Sequence, residues 1–446
     1  MGGLVLASGF ILFFNLWSRS LENHDYLRYA EVAREMIRSG EWVVPHLNGE
    51  IYVDKPPLTF WLIAIPSSLY GSVTPLFARL PSALSAWIGV IILFLWGKRI
   101  HGTALSGLIS GGILLSCYQY LSQARLAKTD MLLCLFILLS FYFFYLGYGE
   151  SGKKRYLFHG FSFFSMGLGV LTKGPFGMIP FLILSLFLIK ERRWGMLISK
   201  PFILGYSILA LTVLPWVLLF IERVGFDRSL TLVKESHALS RHAPFYFYFG
   251  QIWVQFFPWS LLIPSLFFYL WKERGRVWHS RESLFILWFV VLFVLFTLFK
   301  IRASRYLLPA LPALALMISG MWRKKVSYFL IPSLLFVLVW HSVEINWIRK
   351  NLSYSPGMVL AGELRPLLKE SPLYGYRLDV STIEEVNFYL DRTIPLIEKT
   401  GNLIERGLVL MPGEVYEKIR NRGSDPLLFV QEFNYKRGKL VLVSKE

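Results

Sequence analysis

Asp25 stands in the run Glu22-Asn23-His24-Asp25-Tyr26-Leu27-Arg28-Tyr29, directly after an apolar stretch and at the head of a segment with helical spacing. A carboxylate there either caps the helix or acts as a general base that draws the proton from an acceptor hydroxyl. Asp54-Lys55-Pro56-Pro57 follows, and its prolines fix a rigid turn. Lys55 either reaches for lipid headgroups or neutralises a phosphate. Arg125 and Asp130 bracket a short polar turn. They read as a local ion pair, or as a carboxylate beside an arginine fork that grips phosphate. Lys173, in LTKGP, interrupts two apolar stretches, and a lysine in such a place has a partner or lines a cavity. Glu235, His237, Arg241, His242, Tyr246 and Tyr248 crowd residues 222–249. Glutamate and histidine together permit a divalent metal site, although this spacing does not diagnose one. Lys300, Arg302 and Arg305-Tyr306 form a further basic cluster. A base and several cations are the parts of a group transfer in which a nucleophile is activated and a departing anion is stabilised.

These residues must be held by elements that cross a membrane. Hydrophobic residues make up 54% of the 446-residue chain, and they come in blocks long enough to span a bilayer. About eleven spans are expected, near 2–18, 78–97, 103–121, 129–148, 157–172, 175–189, 201–221, 250–271, 282–299, 306–322 and 326–344. The first begins without basic residues or a cleavage signal, so it reads as an uncleaved anchor with a true start further upstream. If the N-terminus is inside, every dense basic cluster falls inside: 98–99, 153–155, 190–200, 272–281 and 323–325. The candidate residues then all face outside. The first outer loop, 19–77, holds an amphipathic helix over 25–38, expected to lie on the membrane surface, and a short apolar helix over 57–70. Residues 1–345 form the membrane part. Residues 346–446 read as a small outer α/β domain, with strands near 372–377, 394–397, 407–411, 427–431 and 439–444, and helices over 381–390 and 413–421.

Composition narrows the function classes. The formal charge of +18 would suggest nucleic acid in a soluble protein. Here lysine and arginine of inner loops account for it, and no nucleic-acid partner is expected. Two cysteines inside apolar segments exclude a disulfide framework and a cysteine-based zinc site. No phosphate-cradling glycine loop or nucleophile elbow stands out. A transporter of lipid-linked sugars would show inverted repeats and broken helices. The sequence displays one break, at Lys173, and a long outer loop that suits an enzyme better. A base and cations converging on one face of a membrane fit transfer from an isoprenoid phosphate, whose tail stays in lipid while its headgroup meets water. A non-catalytic lipid-binding or assembly protein would not need that convergence.

The ordered motifs resemble a known superfamily. They are DYLRYAEVAREM (25–36), SGEWVVPHLNGEIYVDKPPLTFWL (39–62), ARLPSAL (78–84), RLAKTD (125–130), LTKGP (171–175), RHAPFYFY (241–248), FPWSLLIP (257–264) and SRYLLPALPALAL (304–316). Together they resemble the GT-C fold glycosyltransferases of the dolichyl-phosphate-mannose protein mannosyltransferase and 4-amino-4-deoxy-L-arabinose transferase type. The resemblance implies an inverting transfer from a polyprenyl-phosphate sugar donor to a lipid, glycan or protein acceptor, on the periplasmic side of a bacterial inner membrane. A lipid A-type acceptor is slightly favoured, and protein O-mannosyl transfer is the alternative. It also implies that Asp25 is the catalytic base and that Lys55, Arg125, Lys173 and Arg305 surround the carrier phosphate. Arg28, Tyr29, Asp54, Asp130, Glu235, Arg241, His242 and Tyr306 are expected in support. The family often carries an acidic pair at the first motif, whereas Asp25 is followed by Tyr26. Glu22 or Asp130 would then supply the second carboxylate, unless this branch needs none.

Overall fold

The computed structural model describes residues 1–18, 20–21, 24–229, 231, 243–299, 302–321, 332–333, 335, 337, 339, 355–368, 371–397, 407–422, 427–436 and 438–445. The side chains of His24, Asp25, Val380, Arg422 and Lys445 lie outside this description.

The membrane part begins with α1 (Gly2–Phe13), shorter than the expected 2–18. The first loop folds as α2 (His24–Ser39), a hairpin of β1 (His46–Leu47) and β2 (Glu50–Ile51), and α3 (Leu58–Tyr70). Asn48 and Gly49 both take positive φ, 55° and 81°, as a two-residue hairpin turn requires. The Glu35 carboxylate on α2 accepts both turn amides and ties the hairpin to the helix. The apolar stripe of α2 does not face lipid as expected. Val32, Ala33 and Met36 are sealed against Phe60, Ile63 and Ala64 of α3. Helix against helix removes more apolar surface from water than a headgroup layer can, so the two loop helices cover each other.

The bundle continues with α4 (Pro75–His101), α5 (Ala104–Leu115), α6 (Tyr118–Ala124), α7 (Asp130–Gly147), α8 (Gly152–Lys173), α9 (Ile179–Lys190) and α10 (Lys200–Val224). Then come α11 (Phe247–Gln255), α12 (Ile263–Lys272), α13 (Ser283–Leu298) and α14 (Leu311–Met321). Among the described residues, five helical stretches are long and apolar enough to cross a membrane, or seven if each of two bent pairs counts as one crossing. One of the five, Gly152–Lys190, folds back on itself. Gly174 reverses the chain with φ 60° and ψ −136°. Gly177 then packs so close to α8 that a Cβ on it would fall 2.1 Å from the backbone nitrogen of Val170. The expected break at Lys173 is therefore a turn at which α9 folds back from α8. The expected span 326–344 lies mostly outside the described residues.

Two expected spans are broken. α5 and α6 bend by 68°, and the helices on either side of Phe257-Pro258 bend by 111°. Proline cannot continue the helical ladder. The breaks close on each other: Tyr118 N donates to Phe257 O at 2.9 Å, and the Trp259 indole donates to Ser116 Oγ at 2.8 Å. Inside a bilayer such freed groups must find protein partners. The sequence reading anticipated neither break.

The basic loops share one end of the bundle. Lys190 bonds Ser283 Oγ at 2.8 Å, and the Arg193 and Arg281 guanidiniums lie over Tyr148. His101, Tyr269, Val277, Glu282 and Gly320 line one small cavity there. Asp130 and Lys173, at the other ends of α7 and α8, must lie at the opposite end.

The C-terminal part holds α15 (Pro356–Leu368), β3 (Leu373–Tyr376), α16 (Val380–Leu390), β4 (Leu396–Ile397), β5 (Leu408–Pro412), α17 (Gly413–Arg422), β6 (Leu427–Tyr435) and β7 (Gly438–Lys445). Its five strands run in the order β4-β3-β5-β7-β6, with β3 parallel to β4 and β5, and β7 antiparallel to β5 and β6. Every expected strand and helix is present, and α15 is additional. The expected division at 345/346 lies outside the described residues. Asp379 caps α16 by accepting Thr382 N at 3.1 Å, and Asp391 ends it with φ 61°.

α2 docks on α16. Arg34 donates to Asn387 O at 2.7 Å and Phe388 O at 3.2 Å, and pairs with Asp391 at 3.2 Å. Arg38 reaches Asp391 at 2.5 Å. Tyr389 exchanges hydrogen bonds with the Leu21 backbone. Fastened from both sides, the first loop can hold functional groups in fixed places.

Candidate active site

The centre is a buried carboxylate between two cations. Asp130 opens α7, and its Oδ1 accepts the Lys173 ammonium at 2.5 Å. Its Oδ2 lies 3.4 Å from Arg305 Nε. Lys173 is the last residue of α8, where helix carbonyls favour a positive charge. Its ammonium also sits 4.7 Å from the Tyr306 ring centre and 5.7 Å from that of Phe176. Arg305 and Tyr306 lie on a short 3-10 turn, Ser304–Ala310, that leads into α14. The buried Tyr248 holds the approach to that turn: its hydroxyl bonds Ala303 O at 3.1 Å and receives Ala303 N at 3.2 Å.

The first loop brings the next group. Lys55 Nζ bonds Asp54 Oδ2 at 2.7 Å and the Asp54 carbonyl at 2.9 Å. Tyr52 Oη donates to the same Asp54 carboxylate oxygen at 3.2 Å. Burial pushes the Tyr52 phenol well above its usual range, so it keeps its proton and serves as a donor. Lys55 and Asp54 stand close enough that their charges act on the Tyr306 phenol, together with those of Arg305 and Asp130. Residues from loop positions 54–55, from α7, from the end of α8 and from the turn before α14 thus converge around Tyr306. The side chains of Lys173 and Asp130 are only 9% and 7% exposed, whereas Arg305 is 36% exposed. The first two form an interior pair, and Arg305 is the more exposed cation. Cations gathered in this way have the chemistry to bind a phosphate and to stabilise charge that builds on it as it leaves.

Not every expected residue joins this group. Arg125 Nη1 donates to the Ile11, Leu12 and Phe14 carbonyls at 3.3, 3.3 and 3.1 Å, while Asp130 pairs with Lys173 and Arg305. Arg125 closes the C-terminal end of α1, where an arginine satisfies carbonyls the helix leaves open. Arg302 is spent likewise on the carbonyls of Ala243 and Thr297. Asp130 is held by Lys173 and Arg305. Tyr29 stacks on Phe60 inside the first loop, with ring centres 5.8 Å apart. Asp25 falls in the first turn of α2, one turn before Arg28, and its side chain lies outside the described ones. Glu22, Glu235, His237, Arg241, His242 and Lys300 lie outside the described residues. Among the described residues no group of three or more His, Cys, Asp or Glu could hold a metal ion. Tyr52 was missed from the sequence. Its place two residues before the Asp54-Lys55 pair, on the same face of an extended segment, was the available signal.

The architecture is that of the GT-C membrane glycosyltransferases. Over 99% of this chain and 97% of the other, it superimposes with a TM-score of 0.79, at 19% identity, on ArnT from Cupriavidus metallidurans bound to undecaprenyl phosphate. Residues 54–219 match the family model described as dolichyl-phosphate-mannose-protein mannosyltransferase. An uncharacterised protein of Aquifex aeolicus is 31% identical over 319 residues, which is 70% of this chain and 62% of that protein. The undecaprenyl phosphate-alpha-4-amino-4-deoxy-L-arabinose arabinosyl transferase 1 of Pseudomonas fluorescens is 29% identical over 328 residues, 71% of this chain and 56% of that protein. The chain is thus similar over part of its length to arabinosyl transferases and to the protein mannosyltransferase family model, and it shares the GT-C fold. It spans about six-tenths of the length of the curated relatives it matches.

Proposed function

We propose that this protein transfers a sugar from an undecaprenyl-phosphate-type donor to a lipid A-type glycolipid on the periplasmic face of the bacterial inner membrane. The observation that carries this reading is the convergence of Lys55, Lys173 and Arg305 around Tyr306, at the end of the bundle away from the basic loops. The curated relatives named as undecaprenyl phosphate-linked arabinosyl transferases, and the undecaprenyl phosphate in the ArnT structure, support the donor class.

In the proposed reaction the acceptor hydroxyl attacks the anomeric carbon from the face opposite the phosphate. The bond from that carbon to the phosphate oxygen breaks, the hydroxyl proton passes to Asp25, and the carrier phosphate leaves carrying the bonding electrons. Lys55 and Arg305 take up its charge. Asp130 holds Lys173 and Arg305 in register. An acceptor phosphate oxygen would attack in the same way without needing the base. The match to the protein mannosyltransferase model favours a second reading, in which the acceptor is a protein serine or threonine.

The test is mass spectrometry of membrane lipids and surface glycans from cells with and without the gene, repeated with Asp25→Asn. One sugar should vanish from a defined acceptor, and the variant should fail to restore it. Full restoration by Asp25→Asn removes that residue from the mechanism. Redistribution of a lipid-linked sugar across the membrane, with no acceptor changed, would replace transfer by transport.

A further inference from the structure

The C-terminal part reaches the candidate site through one enclosed carboxylate. Glu384 lies on α16 with no exposed surface, and its Oε1 stands 3.8 Å from Arg28 Nε. Arg28 projects from α2, one turn beyond Asp25. Its guanidinium carbon lies 5.9 Å from the centre of the Tyr52 ring, so the cation sits over that aromatic face. Tyr52 in turn donates to Asp54 Oδ2, the oxygen that accepts Lys55 Nζ. Carboxylate, guanidinium, phenol, carboxylate and ammonium thus alternate from the soluble part to the edge of the site.

We infer that Glu384 is a positioning residue for the carrier-phosphate site, acting on Lys55 through Arg28, Tyr52 and Asp54. The inference rests on the proposed function, because it takes Lys55 to be a phosphate ligand. Lysine carries its charge on a flexible four-carbon stem, so its place depends on what holds it. Arg28 steadies the Tyr52 ring, and the phenol proton is donated to Asp54. Hydrogen bonds in such a chain polarise one another, and links to charged groups are the stronger kind. Docking does not explain Glu384 equally well. Arg34 and Arg38 already fasten α2 to α16 through Asn387, Phe388 and Asp391. The Glu384–Arg28 pair is the contact of that interface that continues into Tyr52.

The experiment uses the full chain in detergent and measures undecaprenyl-phosphate binding, donor and acceptor KM, and melting temperature. Lys55→Ala serves as the control for the phosphate site. Glu384→Gln keeps the shape and removes the charge. It should weaken undecaprenyl-phosphate binding and raise donor KM by about tenfold, with acceptor KM unchanged. Glu384→Asp should recover part of the loss. Tyr52→Phe leaves the C-terminal part untouched and should shift binding in the same direction at an unchanged melting temperature. If Glu384→Gln does not fold, Tyr52→Phe decides. Wild-type binding in both Glu384→Gln and Tyr52→Phe, with binding lost in Lys55→Ala, overturns the relay and leaves the proposed function standing. No undecaprenyl-phosphate binding by the wild-type chain overturns both.

Discussion

Asp130 is a carboxylate enclosed at the head of a membrane helix, and its ionised form depends on the two cations it holds. Removing one member of a buried pair leaves the other charge uncompensated, at a cost of about 3–5 kcal/mol. Asp130→Asn should therefore loosen both Lys173 and Arg305. If those cations serve the leaving phosphate, transfer should fall by roughly a hundredfold, the equivalent of about 2.7 kcal/mol. Turnover by the purified variant checks this, and a rate near wild type would reduce Asp130 to a structural anchor. The sequence marked Lys173 as a residue needing a partner, because a cation between apolar stretches has few other ways to persist. It did not say which carboxylate. Arg125 lies nearer to Asp130 in the chain than Lys173 does, yet its Nη1 donates to the α1 carbonyls. Proximity in sequence was a poor guide once helix ends competed for the same donors.

At the scale of elements, α2 decides whether Asp25 and Arg28 are in place. Its polar side carries a buried pair, Glu31 and Arg34, joined by a hydrogen bond and sealed against α16. Burial raises the Glu31 carboxyl to about 7, with Arg34 opposing the shift. A raised carboxyl pKa means that the folded protein binds the proton more tightly than the unfolded chain. This group's contribution to stability is therefore greatest near and below its ordinary pKa of 4.5, and declines as pH rises toward about 7. Glu31→Gln mimics the protonated form and should flatten that part of the profile. Melting temperatures of wild type and variant between pH 5 and 8 measure it, and identical slopes would show that Glu31 is ionised throughout. Helical periodicity announced α2 correctly. Its covering was not legible, because an apolar stripe is the same whether lipid or α3 lies over it.

For the whole molecule, the gathering of basic loops at one end predicts which surfaces face which compartment. Gly195 and Gly362 have open space where a side chain would go, so each accepts a cysteine without a clash. The native Cys117 and Cys134 are buried and should stay silent. A membrane-impermeant thiol reagent added to intact cells should label Gly362→Cys, in the C-terminal part, and spare Gly195→Cys, between α9 and α10. The reverse pattern would invert the orientation and place the Asp130 cluster on the cytoplasmic side.

Charge bias and apolar blocks were enough to define a multi-span protein with its basic loops together, because those terms are sums over local composition and need no knowledge of packing. The C-terminal strands were equally legible, since alternation and turn residues act over a few positions. The paired breaks at Ser116 and Phe257 needed the tertiary structure, because each is satisfied by the other across more than a hundred residues of chain. The same holds for the site. Its cations could be named one by one from the sequence. Only packing decided that Lys173 and Arg305 share one carboxylate, that Arg125 Nη1 meets the end of α1, and that Glu384 meets Arg28, since each outcome is a competition among donors that meet only in the folded molecule.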